Sequence, residues 1–414
     1  MQTYGIEHLR RKLAAKQSRV RLRYRYYDMK NSFDTTATII PPQFASLKAV
    51  LGWCAKAVDT LADRLVFDRF TDDDYYLNEL FDMNSRDIFA GAAIKDALIA
   101  ACSFVYISSD ETGYPRLQVI NGHEATGVID PITNLLTEGY AVLERDGRYA
   151  PENEFSSLSE PTVEAYFTAG RTEIYRRGKL SETFTHKAPY ALLVPMIFKP
   201  DASRPFGHSR ISRSNMALVR SAARTLWRSE VSAEFYSFPQ KYVLGLSPKS
   251  TPFDKWKATI STLLRFDKDP KSGDHPVIGQ FQQQSMTPYT EQLKMFASVF
   301  AGENGLTLDD LGFSTSNPTT AEAIKAAHEN LRLTAQAAQR TFGTGLKNVG
   351  YLAACLRDRQ SYSRTIAKDV RCDWQPIFTV EPSELGTLGD AVLKIQQAFP
   401  DYFTEDKLRR LTGI

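Results

Sequence analysis

Residues 204–245 read RPFGHSRISRSNMALVRSAARTLWRSEVSAEFYSFPQKYVLG. The stretch opens as a loop, because Pro205 and Gly207 interrupt any regular pattern. From Ile211 to about Phe235 the spacing predicts a helix. Ile211, Leu218, Val219, Ala222, Ala223 and Leu226 gather on one face of it. Arg213, Arg220, Arg224 and Arg228 follow one another at spacings of seven, four and four, which puts them on one narrow stripe away from the apolar face. Arg204 and Arg210 extend the cationic run toward the N-terminus, and no acid occurs between Arg204 and Glu230. Four arginines on a stripe repel one another. They need phosphates, carboxylates from another subunit, or a solvated face with local ion pairs.

Outward from this helix, Tyr242 to Leu246 reads as a strand, Pro252 to Phe266 as a short helix, Asp267 to Asp274 as a charged turn and His275 to Phe281 as a second strand. Pro288 to Phe300 returns to helix, so two helices enclose a small αβ insert. Upstream, residues 5–27 are rich in arginine and read as a helix. Pro41-Pro42 opens a second, from Gln43 to Leu65, and residues 75–100 read as helical. Residues 102–198 are short strand-like runs separated by turns such as Asn121-Gly122 and Asp130-Pro131. Downstream, Gly302 to Thr320 is a loop. Thr320 to about Leu356 is one long helix, or two broken near Gly343 and Gly345. Trp374 to Val380 reads as a strand, and Gly389 to Phe399 and Thr404 to Leu411 as closing helices. This order is α+β and lacks the βαβ alternation of a doubly wound sheet.

With 414 residues, 43% hydrophobic and 24% charged, the chain has enough apolar content for two or three folded domains, which excludes wholesale disorder. A net charge of +3 identifies no nucleic-acid binder by itself; only the distribution could. Cys54, Cys102, Cys355 and Cys372 form no close pair and are expected to be reduced thiols. The N-terminus is charged and lacks the apolar core of a leader. The longest apolar stretch, Phe89 to Ile107, is interrupted by Lys95 and Asp96, so a soluble intracellular protein is expected.

Catalytic signatures are missing from the sequence. No phosphate-binding GxxxxGK[ST] loop occurs, and Gly343, Gly345 and Gly350 are too irregular for a dinucleotide fingerprint. No two of His8, His123, His186, His208, His275 and His328 lie at metal-ligand spacing. Asp72, Asp73 and Asp74 are consecutive, so their side chains diverge. A helix N-terminus is the simplest place for them. No GxSxG nucleophile elbow is present. The expectation is a protein with no catalytic site, no metal and no cofactor.

Several phrases occur in a particular order. Tyr26-Tyr27-Asp28 closes the N-terminal helix. Pro205-Phe206-Gly207-His208-Ser209-Arg210-Ile211 has the form GxSxI before a long helix, which ends in Glu234 to Gly245. Ser314 to Thr320 precedes Ala321-Glu322-Ala323-Ile324, and Asp373-Trp374 precedes Gly389 to Lys394. Together these phrases resemble the portal protein family of long-tailed phages over nearly the whole chain. Met29 stands where that family often has glycine after the tyrosine pair.

The resemblance implies a portal-type α+β fold: a mixed α/β wing (1–205), a first stem helix (206–240), a small αβ clip (241–285), a second stem helix (286–304), a tunnel loop (305–320), a long wing helix (321–357) and a short helical crown-like C-terminus (358–414). It implies a homo-oligomeric ring, usually of twelve subunits, at a capsid vertex of the virion, assembled in the host cytoplasm. Double-stranded DNA would pass without sequence specificity. The terminase large subunit, a major capsid or scaffold protein and a head-tail adaptor would be partners, with no membrane. Arg213, Arg220, Arg224 and Arg228 would line the stem, toward DNA or a neighbouring subunit. Asp309, Asp310, Ser314, Thr315, Ser316 and Asn317 would belong to the tunnel loop, and Lys249, Lys255, Trp256, Lys268 and Lys271 to the clip interface. The competing readings are a DNA-processing enzyme with a scattered metal site, which needs convergent carboxylates, and another head-completion subunit.

Overall fold

The computed structural model describes residues 3–30, 49–146, 160–237, 241–244, 277–280, 285–313, 325–378, 382–400, 402–404 and 408. The fold is mixed α/β and divides into two compact units. The first is Met1–Asn31, Gly52–Ala217 and Phe300–Ile414; the second is Ser32–Leu51 and Leu218–Val299.

The first unit begins with α1 (Ile6–Tyr27). Its Leu9 and Leu13 are buried against Tyr140 and Val142, each stabilising by about 1.5–3 kcal/mol. The helix supplies no side-chain cap of its own at Gly5. Glu138, from the sheet, accepts from the N–H groups of Tyr4 (2.8 Å) and Gly5 (3.0 Å), supplying the anion a helix N-terminus favours. At the other end Lys30 N–H reaches the Arg25 carbonyl at 2.8 Å, and Met29 adopts φ +58°, the left-handed conformation that glycine serves most easily at a helix end. The turn after the tyrosine pair thus forms with methionine in the glycine position.

Next come α2 (Trp53–Ala62), β1 (Phe67–Thr71), α3 (Leu77–Met83) and α4 (Arg86–Ala100). Two expectations are corrected here. The described residues 49–52 are not helical, so α2 starts at Trp53 and is not the continuous helix expected from Gln43; residues 43–48 lie outside the described residues. Residues 75–100 form two helices, because Ser85 at φ +54° breaks the chain between them. β1 was not foreseen. It pairs with β12 (Arg371–Trp374), and Phe67, Phe70 and Phe81 pack around it. The expected strand Trp374 to Val380 is therefore shifted. It ends at Trp374, where the side chain meets Phe67.

The region 102–198 is β as expected. The strands β2 (Cys102–Ser109), β3 (Pro115–Ile120) and β9 (Leu193–Ile197) form an antiparallel sheet in the order β3-β2-β9. β4 (Ala125–Ile129), β5 (Leu136–Arg145), β6 (Pro161–Thr168), β7 (Arg171–Arg176) and β8 (Lys179–Thr185) form a five-stranded meander. Tyr106 packs on Phe167 between the two sheets, ring centres 5.1 Å apart.

The long helix α7 (Glu329–Arg357) covers β9 and β2. It is unbroken at Gly343 and Gly345, which corrects the two-helix alternative. A Cβ on Gly345 would lie 2.6 Å from the Met196 sulfur, so glycine there allows the helix to sit close to β9. α8 (Pro382–Ala398) closes the described chain.

The second unit holds most of α5 (Arg213–Ser237) and α6 (Thr287–Asn304), with β10 (Lys241–Leu244) and β11 (Val277–Gln280) paired antiparallel. Both strands and both helices fall close to the expected positions. The expected helix Pro252 to Phe266 lies outside the described residues, as does most of Thr404 to Leu411.

Candidate nucleic-acid interface

The loop before α5 is fixed by its own residues. Gly207 has φ +75°, and a Cβ there would lie 2.1 Å from the Phe198 carbonyl oxygen, so only glycine fits. Ser209 Oγ donates to the Ile99 carbonyl at 2.6 Å and accepts from Ile211 N–H at 2.9 Å. Ile211 is buried. The GxSxI phrase is thus one glycine-dependent turn, one hydroxyl tying it to the end of α4, and one apolar anchor.

Arg210 does not join the exposed cations. It is buried, donating through Nη2 to the Asn304 carbonyl (2.5 Å) and through Nε to the Ala57 carbonyl (3.3 Å). Asn215 and Asn304 bond each other through their side-chain amides at 2.9 and 3.2 Å, and Asn215 also donates to the Arg210 carbonyl. This buried clasp ties the first turn of α5 to the last turn of α6. Burial lowers the Arg210 pKa to about 10, and the helix C-terminus supplies the partial negative charge it faces. Sequence reading grouped Arg210 with the surface arginines and missed the asparagines. Asn215 on the apolar face of α5 was the available signal.

In the second unit α5 and α6 are joined by Thr225 Oγ1 to Gln292 Oε1 (3.0 Å) and by Ser232 with the Tyr289 hydroxyl (2.9 Å). Trp227 and Val231 bury against Ala49. On the other side Arg213, Arg220, Arg224 and Arg228 are all exposed, as expected from the spacing. Among the described residues no carboxylate lies within ion-pair distance of any of the four.

Of the residues assigned to the tunnel loop, Asp309 and Asp310 are described, in a 3-10 turn (Asp309–Leu311). Asp310 points inward. It accepts from Thr307 N–H (2.8 Å), Thr307 Oγ1 (2.9 Å) and His328 Nε2 (2.9 Å). Burial alone would raise its pKa, but these donors outweigh it and hold the carboxyl below its ordinary value. Ser314, Thr315, Ser316 and Asn317 lie outside the described residues, as do Lys249, Lys255, Trp256, Lys268 and Lys271.

Four of the basic residues of α1 are occupied. Arg10 forms a two-pronged pair with Glu164 (2.9 and 2.6 Å). Lys12, Lys16 and Arg23 donate to the carbonyls of Gly127, Ala125 and Ala100 at 2.6–2.7 Å. Their charges dock the helix on the sheet. Asp73 accepts from Leu77 N–H and Asn78 N–H (2.9 and 2.8 Å), so this member of the aspartate run caps α3. Cys54, Cys102 and Cys355 are buried free thiols and Cys372 is half-buried and free. Among the described residues no group of three or more His, Cys, Asp or Glu could hold a metal ion, and no helix is long and apolar enough to cross a membrane.

No family model matches the chain. Two chains from gene transfer agent particles, one described as the virion of the native particle and one as its neck, superimpose with a TM-score of 0.45. They are 11% and 14% identical, over 87% of this chain and 89% of theirs. In sequence the chain is 25% identical over 332 residues to the portal protein of Mycobacterium phage L5, and 26% identical over 333 residues to that of Mycobacterium phage D29. Each match covers 74% of this chain, which spans 65% of the relative's length. The chain resembles the portal proteins of tailed phages.

Proposed function

We propose that this chain is the portal subunit of a tailed phage. Copies close into a ring at a capsid vertex, the ring is the channel for genome packaging and ejection, and it performs no chemistry of its own. The observation that carries the reading is the exposed arginine stripe on α5, whose Arg220, Arg224 and Arg228 lie in the unit that holds all of the chain's positive excess. The second unit has 12 Lys and Arg against 8 Asp and Glu; the rest of the chain has 39 against 40. In a ring of identical copies that surplus repeats around the axis with every subunit. A nucleic-acid backbone supplies the counter-charge for such a surface without base readout. The likeness to two phage portal proteins points the same way.

On this reading residues 1–205 and 321–357 form the wing, α5 and α6 the stem, 241–285 the clip, 305–320 the tunnel loop and 358–414 the crown-like end. Arg213, Arg220, Arg224 and Arg228 face the channel. The clip lysines Lys249, Lys255, Lys268 and Lys271, with Trp256, meet a head-tail adaptor. The terminase large subunit docks on the ring during packaging, and capsid or scaffold protein surrounds the wing.

The test is the native mass of the purified chain by light scattering, with negative-stain images of the same sample. A ring of roughly twelve subunits with a central hole is the expected result. A chain that stays monomeric at all concentrations and with scaffold present overturns the reading.

A further inference from the structure

The five-stranded sheet treats its two edges differently. At β4 the outward carbonyls of Ala125 and Gly127 are taken by Lys16 and Lys12 of α1, both at 2.7 Å. At β8 every residue from Lys179 to Thr185 is exposed, and among the described residues no strand pairs with the outer edge. Leu180 and Phe184 are each 52% exposed. An open edge bearing large apolar side chains is a docking element or a liability. The turn that joins β7 to β8 has Arg177 and Gly178 both left-handed, the geometry of a tight two-residue hairpin. It presents Arg176, Arg177 and Lys179 to solvent, Arg176 also reaching Glu182 of β8 at 3.4 Å.

The complement lies elsewhere on the same unit. Residues 72–88 hold six Asp and Glu against one arginine. Asp73 is used as the α3 cap, while Asp72, Asp74, Glu79, Asp82 and Asp87 are exposed. Three large apolar side chains stand among them: Tyr76 is 67% exposed, Met83 70% and Ile88 75%. One element is basic and apolar, the other acidic and apolar, and among the described residues neither is covered. Two different, mutually complementary surfaces on one subunit are what a head-to-tail ring contact needs, and opposite charge at the rim sets its register.

We propose that the β7–β8 hairpin of one copy docks on the 72–88 segment of the next. Leu180 and Phe184 meet Tyr76, Met83 and Ile88, and the arginines of the hairpin tip face the exposed carboxylates. This rests on the ring reading above.

The test uses two charge-reversed full-length variants, Arg176→Glu/Arg177→Glu/Lys179→Glu and Asp74→Lys/Glu79→Lys/Asp87→Lys. All six side chains are exposed, and the ion pairs Arg176–Glu182 (3.4 Å) and Asp87–Arg86 (3.7 Å) that the substitutions remove lie at the surface, so each variant should keep the wild-type circular dichroism. Each alone should need a concentration about 100-fold higher to assemble, since like charges then face each other. An equimolar mixture should recover rings of alternating variants, visible by native mass spectrometry as even-numbered mixed assemblies. Wild-type rings together with single variants that assemble equally well overturn this contact alone. Recovery absent from the mixture, with both variants folded, also overturns it. A wild-type chain that never forms rings overturns the ring reading and this contact with it.

Discussion

Gly207 has no room for a methyl group, and that single fact fixes how the chain approaches α5. A Cβ would collide with the Phe198 carbonyl and with Ile197, at 2.1 and 2.8 Å, and φ +75° strains any side chain. Gly207→Ala should cost about 2–4 kcal/mol. Gly178 has the same φ with nothing within 4 Å, so Gly178→Ala should cost no more than about 1 kcal/mol. Melting curves of the two variants separate the clash from the backbone strain. Asp96 makes a second prediction. Burial pushes its carboxyl up to about 6, against donors from the Tyr24 hydroxyl and Gly122 N–H. The folded chain therefore holds this proton more tightly than the unfolded chain, whose aspartate titrates near about 3.9. The contribution is most favourable below that value and is lost as pH rises from about 4 to about 6. Asp96→Asn should flatten the stability-versus-pH curve across that window, as read by denaturant melts at pH 4, 5, 6 and 7. An unchanged slope would place the raised pKa elsewhere.

At the scale of the element, α5 shows what a sequence can and cannot tell. Spacings of seven, four and four placed Arg213, Arg220, Arg224 and Arg228 on one exposed stripe because a helix has a single period. The same charge pattern misassigned Arg210, since its burial depends on carbonyls of Ala57 and Asn304, distant in sequence. The break at Ser85 and the pairing of β1 with β12 were hidden for a similar reason: one is a backbone angle and the other a contact across most of the chain. The buried glutamates of the sheet were also missed. Glu138 and Glu164 carry no local signal, and their bonds to α1 exist only once the helix lies across the sheet. The stripe yields a prediction at its own scale. Arg220→Glu/Arg224→Glu/Arg228→Glu should leave the fold intact, because all three are exposed and, among the described residues, form no ion pair. It should reduce genome packaging at least about 10-fold, as counted by DNA-filled heads. Normal filling with intact rings would remove the stripe from the channel. Removing residues 314–317 should act differently: rings persist, while retention of packaged DNA, measured by nuclease sensitivity of filled heads, falls.

For the whole molecule the decisive quantity is where the charge sits. A net charge of +3 on 414 residues says little, yet the second unit is at +4 and the rest at −1. In the proposed ring that excess repeats with every copy, and Arg220, Arg224 and Arg228 of α5 are three of its exposed cations. Such a surface attracts a polyanion through counterion release, which depends on phosphate spacing and on salt but not on base order. Contacts of this kind also have to be loose, since tight arginine-phosphate pairs would hold a moving duplex in place. The assembled protein should therefore bind unrelated duplexes of equal length with affinities within about 2-fold of one another, and the affinity should fall steeply between low and physiological salt. Fluorescence anisotropy at a series of salt concentrations measures both. The slope against salt should be shallower for the stripe variant, because fewer counterions are released. A strong preference for one sequence, or a slope the stripe variant leaves unchanged, would mean that α5 does not face the DNA and that the excess charge serves another anion.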